Sequence, residues 1–362
     1  MIFKRKQFFL VILLAVTFVL SACTSNESGG RDSDVFYQGQ NIEMLVPFGA
    51  GGGTDVFARF LAPYISEHIE GNPTVQPLNV PGGGSITGTN EFYRSKEANG
   101  FNILATSGST HTPYLLKESA VQYDLAKLTP IIGFASGGVV YTTPELKENL
   151  QNEQLVYAGI SATGLDLLSL LAFEVLELDV QSVLGYEGRG PSRVAFEQGE
   201  STIDYQTSSA YLTNVEPLVD EGMAAPLFSF GQLSNGEIVR DPVFPELPSI
   251  KEYYEELYGK EPSGPAWESY KTFVGSAFTL QKMIFTHEDA PQEAIDALVT
   301  GFTNLMDDES FFIDGEEVLG GYEPYLGEEL DSVFEDSFVN VSEENIDWVI
   351  NFLKENYGVT IE

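Results

Sequence analysis

The chain contains few of the residues on which disulfide, metal and nucleic-acid chemistry depend. Its one cysteine, Cys23, excludes an intramolecular disulfide, and its three histidines stand far apart, so no Cys/His spacing predicts a metal site. Lysine and arginine total 18 against 54 aspartates and glutamates, and no basic or aromatic array predicts nucleic-acid binding. The longest apolar run, residues 8–20, has 13 residues, and a membrane span needs roughly 20.

That short apolar run instead predicts a secretion signal. Lys4, Arg5 and Lys6 precede it, and Leu20-Ser21-Ala22-Cys23 follows it. The last four residues have the pattern of a bacterial lipoprotein signal, which predicts lipidation at Cys23; the alternative is an ordinary cut near Ala22 that leaves a free thiol. We expect a signal peptide over residues 1–22 and a flexible, glycine- and serine-rich tether over residues 23–35.

The first glycine turn follows an apolar run at residues 42–46. It reads Val46-Pro47-Phe48-Gly49-Ala50-Gly51-Gly52-Gly53-Thr54-Asp55 and leads into a helical pattern. A helix N-terminus directs unpaired N–H groups and a positive dipole end at such a turn, which makes it an anion site without a charged side chain. It lacks the lysine of a P-loop and the third glycine of a dinucleotide fingerprint. A tight turn that only packs helix on sheet is the open alternative.

Similar strand–turn–helix units recur along the chain, which predicts an α/β fold in which ligands bind at the carboxyl ends of strands. Strands are expected at residues 74–80 and 101–105, and the turns after them contain Gly84 with Ser85 and Thr106-Ser107-Gly108. A later strand, residues 155–158, leads to Gly159-Ile160-Ser161-Ala162-Thr163-Gly164 before another helix. Residues 203–208 end in Thr207 and Ser208.

Ser161 has to be considered as a catalytic nucleophile, because Gly159-Ile160-Ser161-Ala162 begins like a nucleophile elbow. The closing position of that motif is Thr163 where the motif has glycine, and only His68, His111 and His287 could serve as a base. No complete nucleophile, metal or nucleotide site is formed. A binding protein is therefore favoured, and a secreted, lipid-anchored α/β hydrolase acting on a small acid or ester is the alternative.

The order of these landmarks resembles the substrate-binding proteins of tripartite tricarboxylate transporters, the Bug-type receptors. The family's opening motif is matched by Val46-Pro47-Phe48, Gly51-Gly52, Asp55 and Ala58-Arg59, and its second signature resembles residues 79–84. Tyr157-Ala158-Gly159, Tyr186 with Gly188, Gly199 with Ile203-Asp204, and Leu247-Pro248-Ser249 follow in order, so that the likeness covers about residues 41–312. Residues 278–282, which end in Lys282, stand where the family usually has a Trp-bearing apolar run.

The resemblance implies a two-lobed, periplasmic-binding-protein-like fold that holds a small carboxylate, or a related amide, in the cleft without a cofactor or a metal. It implies a first lobe built from residues 36–134 and 227–312 and a second lobe built from residues 135–226, with an acidic extension and its docking helix over residues 313–362. It also implies an extracytoplasmic, monomeric receptor that delivers its solute to membrane permease subunits. The ligand-binding residues carried over are Phe48, Gly51, Gly52, Thr54, Asp55, Gly84, Ser85, Thr106, Ser107, Gly108, Ser161, Ala162, Thr163, Gly164 and Thr207.

Charge is the other marked feature of the sequence. The formal net charge is −36 and becomes −39 if the signal is removed, which is typical of a surface adapted to high salt. Residues 283–353 contain 19 acidic residues and no lysine or arginine, although apolar residues at helical spacing predict a docking helix ending near Tyr357. Arg189 and Arg193 are interpreted either as exposed helix-start residues or as charges that steer an anion. Calcium binding is a further alternative without a matching loop.

Overall fold

The computed structural model describes residues 35–51, 53–186 and 189–361, so the predicted signal, Cys23, the tether up to residue 34 and Gly52 lie outside the described residues. The chain forms two mixed sheets flanked by helices, which confirms the predicted two-lobed α/β class. Within the described ranges no helix is long and apolar enough to cross a bilayer.

Six strands build the first sheet, in the order β13-β4-β12-β3-β1-β2. β1, β2 and β3 run parallel, whereas β12 runs antiparallel between β3 and β4. The carboxyl ends of β1, β2, β3 and β4 therefore lie at one edge, beside the first residue of β12. The strands are β1 (Asn41–Val46), β2 (Thr74–Asn79), β3 (Asn102–Ser107), β4 (Leu128–Phe134), β12 (Lys282–His287) and β13 (Pro324–Tyr325).

Five strands build the second sheet, in the order β7-β6-β8-β5-β9. β6 is parallel to β7 and β8, and β5 is antiparallel to β8 and β9. A separate hairpin pairs β10 (Gln232–Ser234) with β11 (Glu237–Val239). The strands of the second sheet are β5 (Gly138–Thr142), β6 (Leu155–Gly159), β7 (Val180–Leu184), β8 (Ile203–Thr207) and β9 (Ala225–Ser229).

Several helices begin at the glycine and hydroxyl turns of the sequence. In chain order they are α1 (Gly53–His68), α2 (Ile86–Ser95), α3 (Gly108–Leu115), α4 (Asp166–Val175), α5 (Arg189–Glu197), α6 (Ser208–Asn214), α7 (Glu216–Asp220), α8 (Ile250–Tyr258), α9 (Pro265–Val274), α10 (Gln292–Leu305), α11 (Glu309–Asp314), α12 (Glu316–Leu319), α13 (Gly327–Phe334) and α14 (Glu343–Tyr357). Short 3₁₀ turns occupy Gly83–Ser85, Leu125–Lys127 and Leu150–Asn152, and π-helical turns occupy Gly275–Thr279 and Glu335–Val339.

The chain crosses between the sheets where β4 gives way to β5, at residues 135–137. Ser136 donates its N–H to the Phe278 carbonyl at 2.9 Å, and Gly137 donates to Ser208 Oγ at 3.0 Å. Gly137 has no room for a side chain, because a Cβ there would lie 1.9 Å from Asp241 Oδ2 and 2.1 Å from the Tyr322 hydroxyl. The crossing is therefore closely packed against both lobes.

Two large apolar clusters account for most of the core. One lies under α1 and α10 on one face of the first sheet and includes Val46, Phe57, Phe134 and Ile284. The other begins on the opposite face of that sheet, at Leu104, and continues under the second sheet. The acidic C-terminal region belongs to this second cluster, since α14 buries Ile346, Val349 and Leu353 in it. These aliphatic residues repeat at helical spacing, which explains why so acidic a segment folds.

Candidate functional site

The first glycine loop is held by the carboxylate of Asp55, on the first turn of α1. Asp55 accepts the Gly51 N–H and the Asn79 side-chain amide, both at 2.8 Å, and pairs with Arg59 through two contacts of 2.9 and 3.0 Å. Asn79 also donates to the Phe48 carbonyl at 3.0 Å. The Arg59 hydrogen bond, more than any other contact, lowers the pKa of Asp55 to about 2. The structure thus places Asp55 as the organiser of the loop, with its oxygens occupied.

The second loop has an unusual backbone. Gly82, Gly83 and Gly84 have φ values of 142°, 55° and 65°, and Ser85 continues this run with φ of 101°. Such a conformation strains a residue with a Cβ, and strained residues cluster at ligand sites. The Ser85 hydroxyl is buried and has no hydrogen-bond partner within the described residues. Ser85 therefore combines a strained backbone with a buried hydroxyl, next to the first loop.

The first and second loops are packed directly together. A Cβ on Gly88, in the first turn of α2, would lie 2.3 Å from the Val80 carbonyl and 2.9 Å from Pro47 Cβ. Only glycine permits this approach. The predicted residues Phe48, Gly51, Thr54, Gly84 and Ser85 consequently share one edge of the first sheet.

In the third loop, the Thr106 hydroxyl is already hydrogen-bonded within the protein. Thr106 Oγ1 lies 2.7 Å from His111 Nε2, and His111 Nδ1 lies 2.8 Å from the Ser276 carbonyl. Because a carbonyl only accepts, we assign the imidazole proton to Nδ1 and Thr106 as the donor to Nε2. Burial lowers the pKa of His111 to about 4, so the ring is neutral at pH 7. Thr106 therefore fixes α3 rather than facing a solute, while Ser107 and Gly108 stand at the end of β3.

The loop after β6 in the second lobe has the same construction as the first loop. Asp166, at the start of α4, accepts the N–H groups of Ile160 and Ser161 at 2.9 and 3.1 Å. Ser161 Oγ accepts the Thr163 N–H at 3.3 Å, and the Ser161 carbonyl accepts the Gly164 N–H at 3.3 Å. The backbone amides of this loop are thus largely occupied, which leaves its side-chain hydroxyls as the available polar groups.

Ser161 has none of the surroundings of a nucleophile. Its hydroxyl lies against Thr163, and the three histidines bond elsewhere: His68 to the Tyr64 carbonyl, His111 as described, and His287 to the Phe92 carbonyl. In the described part of the chain, no group of histidine, cysteine or acidic side chains could hold a metal ion. The arrangement is suited to binding and not to acyl transfer.

Arg189 corrects the sequence-based interpretation. Its side chain is 14% exposed, and it pairs with Asp166 at 2.9 Å and with Asp204, whose side chain is fully buried. It also donates to the Ala158 and Tyr205 carbonyls at 3.2 and 2.8 Å, and its guanidinium lies 4.1 Å from the Tyr205 ring centroid. Arg189 is neither exposed nor free to steer an anion. Arg193, on the same helix, pairs with Glu197 nearer the surface.

Burial opposes the charges of this cluster. Burial raises the pKa of Asp204, although Arg189 and hydrogen bonds from Tyr141 and Gln206 counter it. Burial alone would lower the pKa of Arg189, but Tyr157, Asp204, Tyr205 and Asp166 raise it above its ordinary value. The guanidinium therefore stays charged and holds the two carboxylates together beneath the Ser161 loop. Neither Asp166 nor Asp204 was predicted as a functional residue. Asp166 could have been found from its place in the first turn of α4, because Asp55 holds the same place in α1.

The loops of the two lobes meet at Gly108. A Cβ on this residue would lie 2.8 Å from Leu165 Cδ2, at the end of the Ser161 loop, and 2.8 Å from the Ala277 carbonyl. Ala162, which is 3% exposed, and Thr207, at the end of β8 before α6, lie at the same edge of the second sheet. The structure therefore brings the edge with Ser107 and Gly108 against the edge with Ser161, Ala162, Thr163, Gly164 and Thr207.

Comparisons with known proteins show which sequences and folds the chain resembles. No protein-family model matches the chain. Protein BugT of Bordetella pertussis is 28% identical over 199 residues, a match that takes in 49% of this chain and 58% of BugT. The chain thus aligns with a little more than half the length of this relative.

Solved structures share the fold. A TctC solute-binding protein from Polaromonas has a TM-score of 0.62 at 16% identity, covering 88% of this chain and 100% of that one. The periplasmic binding protein BugD has a TM-score of 0.56 at 19% identity, covering 88% and 98%. The R. palustris protein Rpa4515, solved with adipate, has a TM-score of 0.55 at 20% identity, covering 87% and 96%. The Polaromonas protein and BugD are named as binding proteins. The predicted similarity to Bug-type substrate-binding proteins is confirmed.

Proposed function

We propose that this chain, similar in sequence to BugT and in fold to BugD and TctC proteins, is a solute receptor that holds a small carboxylate between its lobes. The observation that carries the proposal is the close approach of Gly108 to the Leu165 side chain, through which the loop after β3 meets the loop after β6. A ligand at that place contacts both lobes, and such contacts favour the closed arrangement. Dicarboxylates are the first class to test, because a neighbour of the same fold was solved with adipate.

The proposed ligand set keeps the predicted residues and separates two roles. Phe48, Gly51, Gly52 and Thr54 in the first loop, Gly84 and Ser85 in the second, and Ser107 and Gly108 in the third surround the solute from the first lobe. Ser161, Ala162, Thr163, Gly164 and Thr207 do so from the second. Asp55 and Thr106 support their loops, because their polar atoms are occupied by Gly51, Asn79 and His111. The division into a first lobe of residues 36–134 and 227–312 and a second lobe of residues 135–226 remains part of the proposal.

The same proposal places the protein outside the cytoplasm, attached to a membrane by a lipid on Cys23 and passing its solute to permease subunits. The Leu20-Ser21-Ala22-Cys23 motif supports the anchor. The fold shared with the periplasmic binding protein BugD supports the location. The resemblance to tripartite tricarboxylate transporter receptors supports the permease partner.

A thermal-shift panel of small carboxylates tests the proposed function. We expect one or more dicarboxylates to raise the melting temperature and to be recovered unchanged, since ligand at about 100 times its Kd adds about 2.7 kcal/mol to the free energy of unfolding. The neutral diamide of the same acid is the control and should shift it less. If no carboxylate raises the melting temperature, or if the ligand is consumed, the proposal is wrong.

A further inference from the structure

Lys282 occupies a position that the proposed ligand set does not use. It is the first residue of β12, directly opposite Ser107 at the end of β3 and Phe134 at the end of β4. Because β12 runs antiparallel to both neighbours, its first residue lies at the edge of the sheet from which the ligand loops leave. Lys282 therefore stands at the floor of the proposed cleft.

The alternation of side chains gives the face from which Lys282 projects. Ile284, two residues further along β12, lies in the cluster with Val46, Phe57 and Phe134. Residues two apart in a strand share a face, so Lys282 leaves the sheet on the side covered by α1. Phe57 of α1 packs edge to face on Phe134, with ring centroids 4.9 Å apart. The lysine thus emerges beside the first turns of α1, which follow the first glycine loop.

Lys282 has no acidic partner. Across the described ranges it makes no ion pair or side-chain hydrogen bond, although the residue is only partly exposed. Other described lysines have a carboxylate within 4 Å, namely Lys96, Lys117, Lys127, Lys251 and Lys271, or are exposed, namely Lys147, Lys260 and Lys354. In a chain with 54 acidic and 18 basic residues, a half-buried lysine without a carboxylate is an exception.

We propose that the Lys282 ammonium binds a carboxylate of the solute at the cleft floor, beside the N-terminus of α1. This assignment rests on the proposed receptor function and adds a specificity-determining cation to it. The Lys282 charge and the positive end of the α1 dipole act on the same anion, and a charge-assisted hydrogen bond is about twice as strong as a neutral one. The backbone N–H groups of Gly51 and Gly108 already donate hydrogen bonds within the chain. The Lys282 ammonium therefore provides the solute carboxylate with a donor that these two amides cannot provide.

Partial burial removes hydration from the Lys282 ammonium, so a bound anion would be favourable there. Burial lowers the pKa of Lys282 to about 7, and a bound carboxylate would raise it again by offsetting the lost hydration. The titratable groups on neighbouring elements do not supply that anion. Asp55 on α1 is paired with Arg59, burial keeps His111 on α3 neutral, and burial raises the pKa of Tyr325 on β13 to about 12.

Calorimetric titration with succinate, monomethyl succinate and succinamide at pH 6 and pH 8 tests the proposal. We expect Lys282→Met to weaken succinate binding by about 10- to 100-fold, as loss of a hydrogen bond to a charged group implies, and to leave succinamide binding within about twofold. Wild-type affinity for succinate should be higher at pH 6, where Lys282 is charged, than at pH 8. The Lys282→Met variant should show no such difference.

Two controls separate the possible failures. Lys147→Met removes an exposed lysine and should bind as the wild type does, and apo Lys282→Met should unfold at or above the wild-type temperature, because it no longer buries an unpaired cation. If Lys282→Met binds succinate as tightly as the wild type does, the Lys282 assignment is wrong, but the receptor proposal stands. If the wild type binds none of the carboxylates, the receptor proposal fails instead. Lys282-dependent stabilisation by chloride or sulfate but not by succinate would show an inorganic-anion site and would also overturn the assignment.

Discussion

Replacing Arg189 by methionine tests the most heavily buried charge cluster of the second lobe. The substitution keeps most of the apolar stem but removes the only cation that contacts Asp166 and Asp204 in the described structure, whose side chains are 2% and 0% exposed. Removing one partner of a buried pair destabilises a protein by about 3 to 5 kcal/mol, because the remaining charge is left uncompensated. Here two carboxylates lose their partner together. We expect the free energy of unfolding at pH 7 to fall by about that amount.

The loss should depend on pH with a defined sign. Burial already holds the pKa of Asp204 above its ordinary value, and removing Arg189 raises it further. A carboxyl group with a raised pKa in the folded state disfavours folding above its unfolded pKa, and this penalty disappears once the pH is low enough to protonate both states. The difference between the variant and the wild type should therefore be largest at pH 7 to 8 and shrink toward pH 4.

Urea unfolding at several pH values measures this difference. Arg193→Met is the matched control on the same helix, because Arg193 pairs with Glu197 four residues along, near the surface. Pairs of this kind contribute about 0.3 to 0.5 kcal/mol. Adding Asp204→Asn to Arg189→Met should recover part of the loss. An Arg189→Met variant within 1 kcal/mol of the wild type, or a deficit that grows as the pH falls, would refute the buried-pair interpretation.

Four further predictions follow from the loops and the charge. Gly108→Ala should weaken carboxylate binding measured by calorimetry, because its Cβ would lie 2.8 Å from Leu165 Cδ2. Gly190→Ala is the control, since nothing lies within 4 Å of a Cβ there. Equal carboxylate affinities of the Gly108→Ala variant and the wild type would contradict the proposed closure. Asp55→Asn should lower the free energy of unfolding by about 1 to 3 kcal/mol at pH 7. Because the pKa of Asp55 is lowered to about 2, the deficit should vanish as the pH falls from about 4 toward 2, and a deficit unchanged by pH would be the contrary result. Cys23→Ala should move the protein from the membrane to the soluble fraction with its solute affinity unchanged, and retention at the membrane would exclude the lipid anchor. The association rate of succinate should rise between about 0.01 and 1 M salt, as the screening length shrinks from roughly 30 to roughly 3 Å, while that of succinamide varies less. A rate that falls would show that the charge of Lys282 outweighs the formal net charge of −36 on the whole chain.

Local sequence predicts the loops well and their electrostatics poorly. The units at residues 46–55 and 155–166 are recognisable because a strand, a glycine turn and a helix are encoded within about ten neighbouring residues. The environment of Arg189 depends on Asp166 and Asp204, which are 23 and 15 positions away on other elements. Whether an arginine at the start of a helix is exposed depends on how that helix packs on its sheet, and local sequence does not show this packing. For that reason both sequence-based interpretations of Arg189, as an exposed residue and as a steering charge, were wrong.

The first glycine loop and the Ser161 loop reach their shape by the same means, and this limits which of their groups could bind the proposed solute. In the first lobe Asp55 takes the Gly51 amide and is neutralised by Arg59, whereas in the second Asp166 takes the Ile160 and Ser161 amides and is neutralised by Arg189. Both loops are therefore set before any ligand arrives, which reduces the entropy lost on binding. The same bonds consume amides that could otherwise hold a carboxylate, and both arginines are occupied by aspartates. An anion is then left with the start of α1, the hydroxyl side chains and Lys282. In a chain with 54 acidic residues, the proposed receptor would thus keep a half-buried lysine without a carboxylate partner at the point where we propose that its solute carries negative charge.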